Sequence, residues 1–414
     1  MSDAERTQLT YRYERSRALS AGIIESAGIT FLLLIAVRNF EAGPIAKGIV
    51  AAGSSVGLLI SPFVVSVVAN RGWPTALSAS RLFAVGAGCF LLSALIPVLP
   101  VFLFSSVVGM ASSSAAIPLL TQIYQDNYPE KDRGRLFSRT VMIRIGSAAL
   151  FSELAGKALS VNLENFRGLL VVFTIAFAFA AYCLGRCPSR ALARAEGTHP
   201  FQAMRFVRDD AVFRLTLICW MLMGFANLMM LPLRVEFLAN PRYGVRLYGL
   251  PLNESIIALL TAVIPNVARL ILSPVWGVLF DRMNFFVLRV LLNIGFAVGI
   301  LAFFTSNSLK GLIVGAVIFG ISNAGGDVAW SLWVTKFAPP QRVADYMSVH
   351  TFFTGVRGVA APMTAFYLIG RFSLGTLGWF AAALIVAATL LLLPEIKLGR
   401  TARPASALVE EVSE

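Results

Sequence analysis

A chain of 414 residues that is 57% apolar and 14% charged, with a mean hydropathy of +0.75, falls outside the range of soluble globular domains. A bilayer-spanning helix needs about 20 mostly apolar residues, so the apolar stretches supply roughly a dozen spans and leave no room for a soluble domain of ordinary size. The formal charge of +13 therefore bears on membrane orientation and not on nucleic acid.

Hydropathy places spans near 18–37, 45–68, 75–96, 98–122, 140–160 and 168–186. A polar interval from about Arg186 to Arg214 follows, and then spans near 213–233, 254–278, 285–305, 309–334, 346–369 and 374–393. The fold class expected is an all-α polytopic membrane protein of twelve helices in two pseudo-symmetric six-helix bundles. The bundles are 18–186 and 213–393, with a cytoplasmic tail at 1–17, a cytoplasmic central loop at 187–212 and a cytoplasmic tail at 394–414. The third and fourth spans are parted only by the Pro97 to Pro100 turn. Basic residues precede the first span as they would in a signal peptide, but its apolar core is long and no small-x-small cleavage site follows, so it reads as retained.

With an even number of spans both tails share one side. Of the 35 Lys and Arg, 23 fall in connections on the tail side and nine on the other, among them Arg38, Lys47 and Arg234, so both termini are expected in the cytoplasm. Arg289 is counted with the tail side, and Arg144, Arg269 and Arg357 remain inside spans. Cys89, Cys183, Cys187 and Cys219 lie in or beside apolar segments with no C-x-x-C, and His199 and His350 are too few for a metal centre, so neither disulfides nor zinc are indicated.

The two sets of six spans read as copies. Ser61-Pro62 and Ser273-Pro274 sit near the ends of the second and eighth spans, and Asn70-Arg71 and Asp281-Arg282 follow them. Arg133 and Gly146 bracket the start of the fifth span as Arg342 and Gly355 bracket the start of the eleventh. Parallel repeats of this kind imply two halves around a central pathway. The segment Gly277 to Arg282, sequence GVLFDR, resembles the G-x-L-x-D-R loop of the major facilitator superfamily. Its copy after the second span is eroded, with Ser66 in place of the glycine and Asn70 in place of the aspartate, while Arg71 is kept. The resemblance implies that Asn70, Arg71, Asp281 and Arg282 belong to cytoplasmic gating loops whose charge contacts reset as the halves rock. The plainer reading is that Asp281 and Arg282 cap a short turn.

Charges inside a bilayer cost about 2.5 to 3.5 kcal/mol on insertion scales, and they usually face a cavity or a partner. Glu25 lies about seven residues, or roughly 10 Å, into the first span, and Asp327 at similar depth in the tenth. The resemblance implies that spans one, four, seven and ten line the pathway, which makes both carboxylates proton-coupling candidates, against a structural role in pairing with an arginine or a helix dipole. Spans five and eight would meet across the halves, so Glu153 with Arg269 is the expected inter-half ion pair. Arg144 and Arg357 then have no evident private partner, which leaves an anionic substrate as a live hypothesis. Further cavity candidates are Asn227, Asn323 and Gln122, each equally able to bridge helices. His350 near the start of the eleventh span suits proton relay but reads as interfacial, and Trp330 and Trp333 fit an aromatic belt as well as a gate.

The chain is thus read as a secondary transporter that moves a small solute, an organic anion or polar metabolite, by alternating access, with protons as coupling ion and no ATP-binding loop. A proton-driven drug or cation efflux pump is the alternative within transport, and a non-transporting sensor on the same fold is the alternative outside it. A polytopic enzyme lacks a nucleophile with its base or a His/Asp cluster, so no enzyme activity, cofactor or metal is expected. The expected partners are the solute, protons and the lipid bilayer, without nucleic acid, for a monomer in a bacterial cytoplasmic membrane.

Overall fold

The structure is a computed structural model that describes residues 1–191, 204–247, 250–306, 308–336 and 343–398. Arg342 and His199 from the sequence reading lie outside the described residues, as does the side chain of Asp281.

Twelve long helices run in chain order: α1 (Asp3–Arg38), α2 (Pro44–Arg71), α3 (Thr75–Leu95), α4 (Leu99–Asn127), α5 (Glu130–Val161), α6 (Phe166–Gly185), α7 (Ala211–Ala239), α8 (Glu254–Phe280), α9 (Phe285–Phe304), α10 (Leu309–Leu332), α11 (Val343–Leu368) and α12 (Leu374–Leu392). Among the described residues ten helices are long and apolar enough to cross a bilayer. The other two of the twelve, α5 and α11, are 32 and 26 residues long and carry the intramembrane charges Arg144, Glu153 and Arg357.

Local chemistry sets the helix starts. Asp210, Asn253, Asn284, Ser308 and Ser373 each turn a side-chain oxygen to a backbone N–H at the head of a C-terminal-half helix, which satisfies donors that have no partner within the helix. Gly72 stops α2 in the left-handed region at φ 63°, which a side chain would strain. α1 begins far earlier than hydropathy suggests, because Ser2 and Glu5 form a reciprocal capping box and the charged stretch 3–17 continues the helix. Glu14 and Arg17 pair there at 2.7 Å, and the Tyr124 hydroxyl donates to Glu14 at 2.6 Å, tying this extension to α4.

Packing repeats between the halves. α1 lies against α5 and α6, α2 against α4, and α3 against α4 and α6; α7 lies against α11 and α12, α8 against α10, and α9 against α10 and α12. Among the described residues the halves are joined by α2 with α11, α5 with α8, and α1 with both α7 and α8. Between helices in lipid the apolar effect is weak, so close backbone approach through small residues carries the association. A Cβ on Gly355 would fall 2.6 Å from the Leu59 backbone, and one on Gly358 2.2 Å from the Ser55 hydroxyl, so both glycines let α11 seat on α2. Large apolar side chains such as Leu150, Ile175, Ile271, Trp379 and Leu390 are exposed on the outside, where acyl chains would cover them.

Candidate functional site

Four charged side chains meet where α1, α5, α8 and α10 converge. Arg269 of α8 donates from Nη1 to Glu25 of α1, across the two halves, and from Nε to Asp327 Oδ2 of α10 at 2.5 Å. Arg144 of α5 places its Nε 3.0 Å from the other Glu25 oxygen. Two guanidiniums and two carboxylates sum to zero charge, which is how such groups can stay within a bundle. Arg269 is nearly enclosed, with 8% of its side chain exposed, whereas Asp327 has 44% exposed and opens the network to solvent.

The helices are shaped to bring these groups together. α1 carries a π-helical turn at Ala27–Phe31, just after Glu25, and α8 carries one at Leu259–Val263, before Arg269. The two turns lie against each other across the halves. A π turn inserts an extra residue and re-aims the side chains beyond it, and such turns are frequent at functional sites. Gly22 allows α5 to close on α1, since a Cβ there would lie 2.3 Å from the Arg144 carbonyl. Ser26 then donates to the Ala148 carbonyl at 3.1 Å and accepts from Ser152 at 3.1 Å, fixing the α1–α5 register that points Arg144 at Glu25.

The expected inter-half pair is replaced by another. Glu153 binds Lys157, four residues on, at 2.8 Å on the outer face of α5, while Arg269 takes Glu25 and Asp327. An i, i+4 neighbour on the same helix is always within reach, so Lys157 outcompetes a partner on α8. Arg144, read as unpaired, is partnered by Glu25. Arg357 points into the C-terminal half, where its Nη1 donates to the Trp220 carbonyl. His350, read as interfacial, is fully buried and surrounded by Trp220, Trp330 and Trp333 at ring separations of 5.3, 5.7 and 5.2 Å. Trp333 is itself buried and stacks on Phe213, which removes it from an aromatic belt.

The amide candidates scatter. Gln122 donates to Asp126 at 2.7 Å within its own helix, and Asn323 is half-buried on α10. Asn227 lines a cavity of about 10 Å³, room for a single water, together with Arg234 and Phe319. In the last two turns of α2, Asn70 donates to Ser66 at 3.5 Å, so the two altered positions of the motif face each other within the helix. Arg71 and Arg81 both lie over the Trp73 ring, at 4.8 and 4.7 Å, and Arg282 is exposed.

Sequence reasoning missed a second set of inter-half contacts at the end of the bundle remote from the termini. Lys47 of α2 donates to both Glu236 oxygens of α7 at 2.8 Å, with 7% and 0% of the two side chains exposed. Asn240 adds a third donor to Glu236 at 2.7 Å. Arg38 donates to the Leu252 carbonyl at 2.7 Å and lies 3.5 Å from Glu254. Lys47 and Arg234, counted as loop charges, are buried within α2 and α7, and Arg289, also counted as a loop charge, is buried within α9. The signal available was the span limits: Lys47 and Arg289 already fall within the spans 45–68 and 285–305, and one further residue on the span 213–233 encloses Arg234.

A family model described as Major Facilitator Superfamily matches residues 18–284 and 249–410. Among solved structures, a mutant form of the nucleoside transporter NupG superposes with a TM-score of 0.73 at 12% identity, covering 93% of this chain and 99% of that one. A D-xylose-proton symporter gives 0.64 at 17% identity, covering 94% and 96%. A bacterial homolog of the human lysosomal transporter Spinster, in an inward-facing and occupied conformation, gives 0.63 at 14%, covering 98% and 97%. No curated protein matches the chain in sequence. At these identities the structural likeness concerns the fold and not the cargo.

Proposed function

Because the chain belongs to the Major Facilitator Superfamily, a family of membrane transporters, we propose that it is a proton-coupled secondary transporter that moves a small polar or anionic solute by alternating access. The observation that carries this reading is Arg269, which holds one carboxylate in its own half and one in the other. Alternating access requires the halves to rock, and rocking separates Glu25 from Arg269. Parting a buried ion pair leaves two uncompensated charges. A proton delivered to the carboxylate, or a solute anion delivered to Arg269 and Arg144, removes that penalty, so movement is linked to proton and solute binding. Asp327 is the entry point, since it is the more exposed of the two carboxylates, at 44% against 17% for Glu25.

The excess of basic residues in the tail-side connections supports cytoplasmic termini, and a bacterial cytoplasmic membrane is the setting proposed. The inter-half contacts of Lys47, Arg38, Gly355 and Gly358 run from mid-depth to the end remote from the termini, which supports a conformation closed on the outside. Cation efflux is the weaker reading, because both candidate carboxylates already face an arginine. A sensor without transport is separated from a transporter by flux.

The test is uptake into proteoliposomes of nucleosides, sugars, organic acids and amino acids under an imposed pH gradient. Wild type accumulates at least one class, and Asp327→Asn abolishes gradient-driven accumulation while the protein remains folded by size-exclusion chromatography. Full accumulation by Asp327→Asn removes that residue from coupling, and no flux in any class for wild type supports the sensor.

A further inference from the structure

Arg289 of α9 and Arg357 of α11 form a second arginine pair, away from the central network and inside the C-terminal half, 1% and 8% exposed respectively. The two guanidiniums gather on one indole: the Arg289 carbon lies 3.7 Å and the Arg357 carbon 6.0 Å from the Trp220 ring centre. His350 stands 5.3 Å from the same ring. Gly224 provides the seat for Arg357, since a Cβ at that position would collide with its guanidinium.

The hydrogen-bond inventory of the cluster is one-sided. Arg289 donates to Asn293 at 3.2 Å and Arg357 to the Trp220 carbonyl. Among the described residues, Arg289 Nη1, Arg357 Nε, Trp220 Nε1 and both ring nitrogens of His350 are buried without a partner. All but one of the His350 nitrogens can act as donors at neutral charge, so the cluster is a surface of N–H groups around two positive charges. Neither arginine makes an ion pair with a described carboxylate. Two carboxylates come near this end of the half. Asp210 is engaged by the Phe213 N–H and the Tyr346 hydroxyl, and Glu395 lies toward Cys219, its Oε2 buried, among the described residues, without a hydrogen bond and without an ion pair to either arginine. A cation–π contact with Trp220 offsets only part of the desolvation of one guanidinium, and two like charges on one ring repel.

We propose that this cluster is a binding site for a small oxyanion, a phosphate- or carboxylate-type group, held by Arg289, Arg357, His350 and the Trp220 indole N–H. An acceptor-only ligand satisfies the orphan donors and neutralises both charges at once. The site is covered on the terminal side by Phe213 stacked on Trp333 and by Tyr346 against Phe206, so the ligand enters when those ends of α10 and α11 part. The site does not depend on the central network and stands whether or not the chain transports.

The test uses the detergent-purified full chain in buffer free of phosphate and sulfate, titrated with inorganic phosphate at constant ionic strength in KCl, with thermal midpoint and tryptophan fluorescence as readouts. Phosphate raises the wild-type midpoint saturably, and the fluorescence changes with the same half-saturation. The effect persists in Arg144→Gln and vanishes in Arg289→Met and Arg357→Met. Without phosphate, Arg289→Met is more stable than wild type, because an uncompensated buried charge has been removed. A parallel titration with short-chain phosphatidic acid separates a lipid head group from a free ion: a midpoint shift seen only there, and lost in Arg289→Met, assigns the lipid as ligand. Absence of a shift with either probe overturns the proposal. So does a shift undiminished in both methionine variants, or an Arg289→Met protein less stable than wild type in phosphate-free buffer, which marks Arg289 as a structural cation.

Discussion

Lys47→Met tests whether the contact remote from the termini holds the closed state. In the structure Lys47 supplies two of the three donors to Glu236, a carboxylate with no exposed surface, and it does so from the other half of the molecule. Breaking a buried pair by removing one partner typically costs about 3–5 kcal/mol. Asn240 still donates to Glu236 at 2.7 Å in the variant, which places the expected cost near the lower end, about 3 kcal/mol. Once that end opens, Glu236 is hydrated and the cost disappears, so the penalty falls on the closed state alone. The equilibrium then shifts toward opening by roughly a hundredfold, at about 1.4 kcal/mol per factor of ten. A Ser55→Cys reporter reads this, because Ser55 is covered by Gly358 of α11 in the closed state. Labelling by a membrane-impermeant maleimide is expected to accelerate by up to that factor in Lys47→Met. In Lys47→Met with Glu236→Met, apolar packing replaces the ion pair and labelling returns toward the parent rate. A rate unchanged in the single variant, or equal in single and double variants, refutes the reasoning.

The labelling background is itself predictable. The four native cysteines are buried, and Cys187, beyond the end of α6, has its thiol pushed up to about 12 by that burial and stays protonated as pH rises to 9, so the introduced cysteine is expected to dominate the labelling; maleimide incorporation into the parent protein checks this. Gly22→Val drives a side chain against the Arg144 carbonyl and parts α1 from α5, so folded protein is lost in fluorescence-detected chromatography, whereas Gly168→Ala, with open space around it, leaves the yield unchanged. Ser2→Ala removes the capping box at the head of α1 at about 0.5–2 kcal/mol, and amide exchange over residues 6–12 rises while exchange around Glu25 does not.

The duplication was readable from sequence because it leaves marks at fixed spacing, the Ser-Pro pairs of α2 and α8 and the Arg-Gly brackets of α5 and α11, and the helix contacts repeat half by half. The charged head of α1 was not readable from hydropathy, although the Ser2 to Glu5 capping signature was present. Averaging over an apolar window is blind to a helix stabilised by ion pairs and a tyrosine such as Glu14, Arg17 and Tyr124. Lys47, Arg234 and Arg289 were counted with the connections because each lies within a few residues of a span end, where a position along the chain does not tell a loop charge from one enclosed by neighbouring helices.

By itself the sequence determined the class of molecule, the six-plus-six order of helices and the placing of Glu25, Arg269 and Asp327 inside long apolar helices. All of these follow from one-dimensional properties: apolar length at 1.5 Å per residue, and the position of a charge along it. Partner choice was decided only by the tertiary structure. Which charge faces which depends on the rotation of each helix about its axis and on the tilt between helices, and the π turns in α1 and α8 alter that rotation locally. Arg269 therefore binds Glu25 and Asp327 while Glu153, at similar depth, turns outward to Lys157, and Arg357 turns from the central pathway to share Trp220 with Arg289.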